Sequence, residues 1–313
     1  MKISKEKTAE LILNHHSFLQ VGHVHADGDD IGSLCALHRV LHAMGKKSDM
    51  IVCDGVPERF RFLEETRYIR QTVPDHKEYD MIVFTDLSNI ERGGGLDYPP
   101  VRSLCIDHHV SNTEYADFLY LRPDYAATAE MLAELFLEYH MPLDEESCNA
   151  LYMGIATDSG FFKYSNTSEH TLCTAGKLVG MGARPELISS HLDAVTLRSM
   201  KVYQRVLSTL HFSSQGKIGW ASMDQVSMDM EGDNSDAYVE IPRRVQGVEL
   251  AVLLKYESPS KTRVSFRSQQ YVDVSELAAQ FGGGGHVRAA GCTVQKSIEE
   301  TEHLIGQAAA AVI

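Results

Sequence analysis

Aspartate and histidine gather at four points of this 313-residue chain, with spacings that suit metal chemistry. His23, Asp27 and Asp29 form an H-x-x-x-D-x-D run, Asp86 closes an apolar stretch, Asp107, His108 and His109 close another, and Asp158 follows the apolar segment 151–156. Carboxylates a few ångströms apart repel by several kcal/mol at intermediate dielectric. Divalent cations remove that repulsion. Aspartate and histidine without cysteine suit a hard-to-borderline ion such as Mn²⁺ or Mg²⁺, with Co²⁺ a further substitute, and there are side chains enough for two centres sharing one carboxylate. Two ions about 3.5–4 Å apart clamp an in-line displacement at phosphorus and activate a bridging water. Singly, Asp27 or Asp29 reads as the cap of a helix at Ile31. Four such pieces, each at the end of an element, point to one metal site.

A second cluster has the opposite character. Four glycines, 282–285, permit positive φ and a close approach of backbone N–H groups to an anion, and His286 and Arg288 follow at once. Arg263 and Arg267 are i and i+4 on an expected strand and share a face, Arg267 within Ser-Phe-Arg-Ser. Four glycines alone read as a flexible turn. With these neighbours they predict a phosphate pocket.

The elements that must position these residues follow from periodicity. Apolar runs at 18–23, 49–53, 80–85 and 101–106, with a helix at 31–44, imply a parallel sheet covered on both faces. In such sheets ligands bind beyond the carboxyl ends of the strands, where the acidic clusters fall. Helices are expected at 126–139, from 144 to about 156, at 168–180 and from Arg184-Pro185 onward. Residues 211–222, 248–256 and 261–268 read as an antiparallel meander, with helices at 274–281 and 298–311. The expected class is α/β: an N-terminal parallel-sheet domain (1–186), a helical connector (187–210), and a smaller α+β domain with a mixed or antiparallel sheet (211–313).

Composition narrows the partners. Against 29 Lys and Arg stand 43 Asp and Glu, a net charge of −14 that disfavours long duplex nucleic acid and anionic membrane surfaces. The excess is local: residues 51–150 hold 20 acidic and 8 basic side chains, whereas 241–296 hold 4 acidic and 8 basic. The longest apolar run, 308–313, is too short for a membrane span or a signal peptide, so the cytoplasm is expected. Six cysteines without a Cys-x-x-Cys pair read as small buried apolar residues. The sequon at Asn166 reads as chance, and the remaining histidines, among them His38, His76 and His170, as structural.

His23-Val-His-Ala-Asp-Gly-Asp-Asp-Ile-Gly-Ser33, Val83-Phe-Thr-Asp86, Asp107-His-His-Val-Ser-Asn112 and Thr157-Asp-Ser-Gly-Phe161 resemble, in order and spacing, the four motifs of the DHH phosphoesterase superfamily. Residues 281–291 resemble the glycine-rich signature of its DHH-associated C-terminal domain, so the resemblance covers nearly the whole chain. The two-domain form is similar to the nanoRNase branch of oligoribonucleases and pAp (3′-phosphoadenosine 5′-phosphate) phosphatases. The resemblance implies two Mn²⁺ ions, one held by His23 and Asp27, the other by Asp29, His108 and Asp158, with Asp86 bridging. It implies that Asp107 orients the adjacent histidine, that His109 donates to the leaving oxygen, and that Asn112, Arg267, Gly284, Gly285, His286 and Arg288 contact substrate. Substrates would be short oligoribonucleotides, cut to mononucleotides, and pAp, hydrolysed to AMP; a homodimer is a further expectation. The rivals are a phosphodiesterase for cyclic di-AMP or linear pApA, and a non-catalytic nucleotide-binding regulator. Ala26 and Asp30 stand where the family commonly has Pro and a small residue, and Asp30 adds a carboxylate beside the site.

Overall fold

Strands with no polar alternation form the middle of the first unit: all five residues of Met81–Thr85 are buried, as are the last four of Ser17–Val21. The computed structural model describes residues 1–74 and 78–313, with side chains throughout except at 232–234, so His76 lies outside the described residues. The chain divides into two units, Met1–Ala194 and Val195–Ile313.

In the first unit, strands β1 (Ser17–Val21), β2 (Lys47–Ile51), β3 (Ile69–Arg70), β4 (Met81–Thr85), β5 (Ser103–Asp107) and β6 (Phe118–Leu121) form one parallel sheet in the order β3-β2-β1-β4-β5-β6. The order reverses between β1 and β4, which opens a crevice beyond their carboxyl ends. Helices α1 (Lys5–Asn14), α2 (Gly28–Ala43), α3 (Thr128–Glu138), α4 (Glu145–Asp158), α5 (Glu169–Gly180) and α6 (Pro185–Leu192) accompany the sheet. Helix α2 starts at Gly28, three residues before the expected Ile31, because Asp27 caps it by accepting from the Asp29 and Asp30 N–H groups. Ile31, Leu34, Leu37, Val40 and Leu41 of α2 are fully buried, each contributing roughly 1.5–3 kcal/mol. Small residues let α2 and α4 meet closely: a Cβ on Gly32 would lie 2.4 Å from the Ala150 carbonyl oxygen.

In the second unit, α7 (Leu197–Ser208) precedes β7 (His211–Ser213), β8 (Ile218–Met223), α8 (Gln225–Glu231), α9 (Glu240–Arg243), β9 (Leu250–Ser258), β10 (Lys261–Ser268), α10 (Val274–Ala279), β11 (Gly284–His286), β12 (Ala289–Val294) and α11 (Ile298–Ala310). The sheet order is β11-β12-β10-β9-β8-β7. It is mixed, and the expected antiparallel meander is corrected at one place: β8 pairs β9 in parallel, since α8, a 3₁₀ segment and α9 carry the chain back across. The stretch 187–210 holds most of α6, which packs on α4, and all of α7, which packs on α8 and β8. No helix among the described residues is long and apolar enough to cross a membrane. All six cysteines are free; four are buried, Cys53 is half-buried, and Cys173 is exposed, contrary to expectation.

Candidate metal centre

Three loops and two helix ends converge at the crevice between β1 and β4. His23 and Asp27 follow β1, Asp86 follows β4, Asp107 ends β5 with His108 and His109 beyond it, Asp29 lies in the first turn of α2, and Asp158 is the last residue of α4. Their ligand atoms form three groups, each within 4.8 Å: His23, Asp27 and Asp86; Asp29, His108 and Asp158; Asp86, His108 and His109. Asp86 belongs to two of these groups, its Oδ2 3.5 Å from His23 Nε2 and its Oδ1 3.5 Å from His108 Nε2, and His108 in turn joins the Asp29 group. One carboxylate thus faces two donor sets with different oxygens. The Asp86 backbone has φ +57°, a left-handed turn costing a non-glycine residue about 1–2 kcal/mol, held because the Asp86 N–H donates to the Ile106 carbonyl and Thr128 Oγ1 donates to Oδ1 at 3.0 Å.

Each donor is fixed from behind. His23 Nδ1 lies 2.8 Å from the Val24 carbonyl oxygen, and His108 Nδ1 is 3.3 Å from that of Tyr125, so each ring turns Nε2 toward the carboxylates. Asp29 accepts from the Thr128 and Ala129 N–H groups at 2.6 and 2.8 Å, capping α3 from another helix, because the N-cap residue Ala127 has no side-chain acceptor. Asn166 Nδ2 donates to the Ala126 and Asp158 carbonyls, so the sequon asparagine ties the loop before α3 to the end of α4.

The charge balance calls for a cation. Burial and then the Asp86 and Asp158 charges raise the Asp29 carboxyl well above the ordinary range, and burial pushes Asp158 up to about 6. Burial would lower His23, yet the facing Asp27 and Asp86 carboxylates raise it to about 11, while burial of Asp27 is outweighed by His23, which holds that carboxyl at about 2. His23 Nε2 is buried without a hydrogen-bond partner. A buried imidazole nitrogen aimed at carboxylates fits a divalent ion, and the less buried His108 Nε2 likewise faces Asp29, Asp86 and Asp158 at 3.9, 3.5 and 3.2 Å.

Asp107 holds His109, not His108: its Oδ1 accepts from the His109 N–H and lies 2.7 Å from Nδ1. That hydrogen bond, ahead of burial that opposes it, raises the His109 pKa. Asn112, expected at the substrate, donates from Nδ2 to Asp107 Oδ2 at 2.6 Å and so braces the pair. Asp30 is fully buried behind His23, its Oδ2 accepting the His23 N–H at 3.0 Å, and takes no place among the ligand groups.

The glycine run of the second unit lines a cavity of about 530 Å³ together with Arg263, Arg267, Lys255 and Asp236. Gly285 has φ +147°, and a Cβ there would lie 2.5 Å from the Ala289 carbonyl oxygen, so the hairpin of β11 and β12 requires glycine. Gly284 and Gly285 line the cavity; His286 is exposed on β11 outside the lining, and Arg288 donates to the Val272 carbonyl at 2.8 Å. Lys255 and Asp236 escaped the sequence reading. A lone lysine inside the apolar strand 250–254 onward was the available signal.

Residues 17–155 match the DHH family, N-terminal domain, and residues 221–313 match the DHHA1 domain. The bifunctional oligoribonuclease and PAP phosphatase NrnA of Thermus thermophilus is 31% identical over 276 residues, covering 87% of this chain and 82% of that protein. The Bacillus subtilis protein of the same name is 26% identical over 292 residues, covering 90% of each chain. An exopolyphosphatase-related protein of Bacteroides fragilis has the same fold, with a TM-score of 0.83 at 22% identity over 97% of this chain and 94% of that one. With both domains matched in order and the acidic motifs gathered at one crevice, this chain belongs to the DHH family of phosphoesterases, enzymes that hydrolyse phosphoester bonds, and carries the DHHA1 domain.

Proposed function

We propose that this protein hydrolyses short oligoribonucleotides to mononucleotides and 3′-phosphoadenosine 5′-phosphate to AMP, with two Mn²⁺ ions at the crevice of the first unit. The observation that carries this reading is Asp86, which faces His23 with one oxygen and His108 with the other. His23, Asp27 and Asp86 would hold one cation, and Asp29, His108, Asp158 and Asp86 the second. Mixed carboxylate and imidazole donors without sulfur suit a hard-to-borderline divalent ion such as Mn²⁺. When bound, the pair supplies Lewis acidity at the phosphoryl oxygens and makes water a nucleophile at neutral pH.

The remaining steps belong to side chains of the protein. His109 is oriented through Nδ1 by Asp107, which raises its pKa and keeps a proton on the ring to give to the leaving oxygen. Asn112 fixes Asp107 in turn. Arg267 and the N–H groups of the glycine run would take a substrate phosphate, the work for which an exposed, cationic lining is suited. The substrate class is supported by the names of the relatives from Thermus thermophilus and Bacillus subtilis.

The test offers purified protein pAp, pApA, a ribonucleotide pentamer and cyclic di-AMP, with Mn²⁺ or with EDTA, and resolves products by chromatography. Mononucleotides and AMP should appear with Mn²⁺ and vanish with EDTA. Cleavage confined to cyclic di-AMP or pApA would replace the substrate assignment, and no cleavage of any phosphoester would end the enzymatic one.

A further inference from the structure

The glycine-rich cavity of the second unit is not uniformly cationic. Among the described residues, one carboxylate, Asp236, stands with Arg263, Arg267 and the backbone of residues 282–285. A pocket built for a phosphate group alone gains nothing from it, since the two anions repel.

Asp236 is also held in place. Lys255, 1% exposed in the middle of β9, donates to Asp236 Oδ1, and Ser265 Oγ on β10 donates to the same oxygen at 2.7 Å. Two neighbouring strands therefore fix the orientation of the carboxylate. Even so, its side chain remains 55% exposed and opens on the cavity. Burial would raise its pKa, but the hydrogen bonds from Lys255 and then Ser265 hold it below the ordinary carboxylate range. At neutral pH it is an acceptor only, so whatever meets its free face must donate.

A cavity of about 530 Å³ accommodates one nucleotide. The donors of a nucleotide are its ribose hydroxyls and, on the base, an exocyclic amine or a ring N–H. Both substrate classes proposed above carry a phosphate on the 3′-oxygen of the residue to be gripped. That leaves the 2′-hydroxyl as the only sugar donor they share.

We propose that Asp236 accepts the ribose 2′-hydroxyl of the nucleotide held in this cavity, and is the residue by which the enzyme favours ribo- over deoxyribonucleotides. The inference rests on the substrate reading above, and it gives Lys255 and Ser265 a positioning role. The 2′-hydroxyl is the group that distinguishes RNA from DNA at a contacted sugar, and a carboxylate is its strongest neutral-pH acceptor.

The experiment titrates the full chain in EDTA, where no turnover occurs, with adenosine 3′,5′-bisphosphate and with its 2′-deoxy analogue, by calorimetry. The wild type should bind the ribo compound roughly tenfold or more tightly than the deoxy compound. Asp236→Ala should bring the ratio close to one by weakening the ribo compound alone, and Asp236→Asn, which keeps an uncharged acceptor, should fall between. Melting temperatures confirm that both variants fold; should either fail to, the wild-type ratio still decides. Equal affinity of the wild type for the two compounds overturns the proposal. So does an Asp236→Ala variant that weakens both equally, which is the signature of a merely structural residue. A wild-type affinity that depends on the base amine and not on the 2′-hydroxyl, seen with the 3′,5′-bisphosphate of purine riboside, whose base has neither amine nor N1–H, overturns it as well. Turnover of a chromogenic phosphodiester with Mn²⁺, measured alongside, separates the two readings: its absence with the ribo preference intact removes the enzymatic assignment alone, and its presence without a ribo preference removes this one alone.

Discussion

The crevice of the first unit and the glycine cavity of the second are built differently, as the proposed function requires. At the crevice His23, Asp29, Asp86 and Asp107 are each at most 1% exposed, and each is hydrogen-bonded to backbone or to a side chain behind it. In the glycine cavity, Gly284 and Gly285 are exposed, and the charged residues of the lining are Arg263, Arg267, Lys255 and the single carboxylate Asp236 among the described residues. Chemistry at phosphorus rewards donors that cannot reorganise, which burial and backbone anchoring supply. Capture of a flexible, charged ligand rewards exposed N–H groups and an attractive field. The uneven charge follows the same division, with the acidic excess in 51–150 and a basic surplus in 241–296.

The comparison breaks most visibly at Asp86. Asp86→Asn should lower kcat by roughly three orders of magnitude or more, since several kcal/mol of charge stabilisation depend on both donor groups meeting there. Steady-state kinetics with Mn²⁺ in excess measures this, and near-normal turnover would disconnect the crevice from the chemistry. Asn112→Ala should cost roughly 10–100-fold in kcat with KM almost unchanged, because it loosens Asp107 and through it His109. A rise in KM with kcat preserved would return Asn112 to the substrate.

Gly154→Ala tests the packing beneath the site. The added Cβ would lie 2.5 Å from Ala129 Cβ and 2.9 Å from Asp29 Oδ1. A destabilisation of about 1–3 kcal/mol is expected, together with weaker Mn²⁺ binding as Asp29 is displaced. Thermal denaturation and metal titration read the two effects, and a variant of unchanged stability would show that α3 and α4 have room to spare.

The smallest effect belongs to the second unit. His286→Ala should raise KM for short substrates by roughly 3–10-fold while kcat changes little, as loss of ground-state binding does. A pure loss of kcat would place His286 in the chemistry and erase the contrast between the two regions.

Much of this was legible in the residues themselves. Apolar runs over 80–85 and 101–106 announce strands buried on both faces, and an aspartate or histidine directly after each run must emerge at the carboxyl edge of a parallel sheet. The four acidic motifs, their common crevice and the glycine cavity therefore follow from local pattern. The roles of individual side chains did not. Asp107 sits between Ile106 and His108 in sequence, and only the turn after β5 decides that it holds His109. Asn112 looks like a substrate contact until Asp107 is found to occupy its amide.

What the sequence determined alone is the order of elements and the positions where charge must collect, because both depend on periods of a few residues. What tertiary structure decided are partnerships across long stretches of chain. Asp29 caps a helix that begins at Thr128, β8 lies parallel to β9, and Lys255 fixes Asp236 from a neighbouring strand. Such contacts depend on which faces pack together. Burial selects them after the elements form, and no local spacing records them.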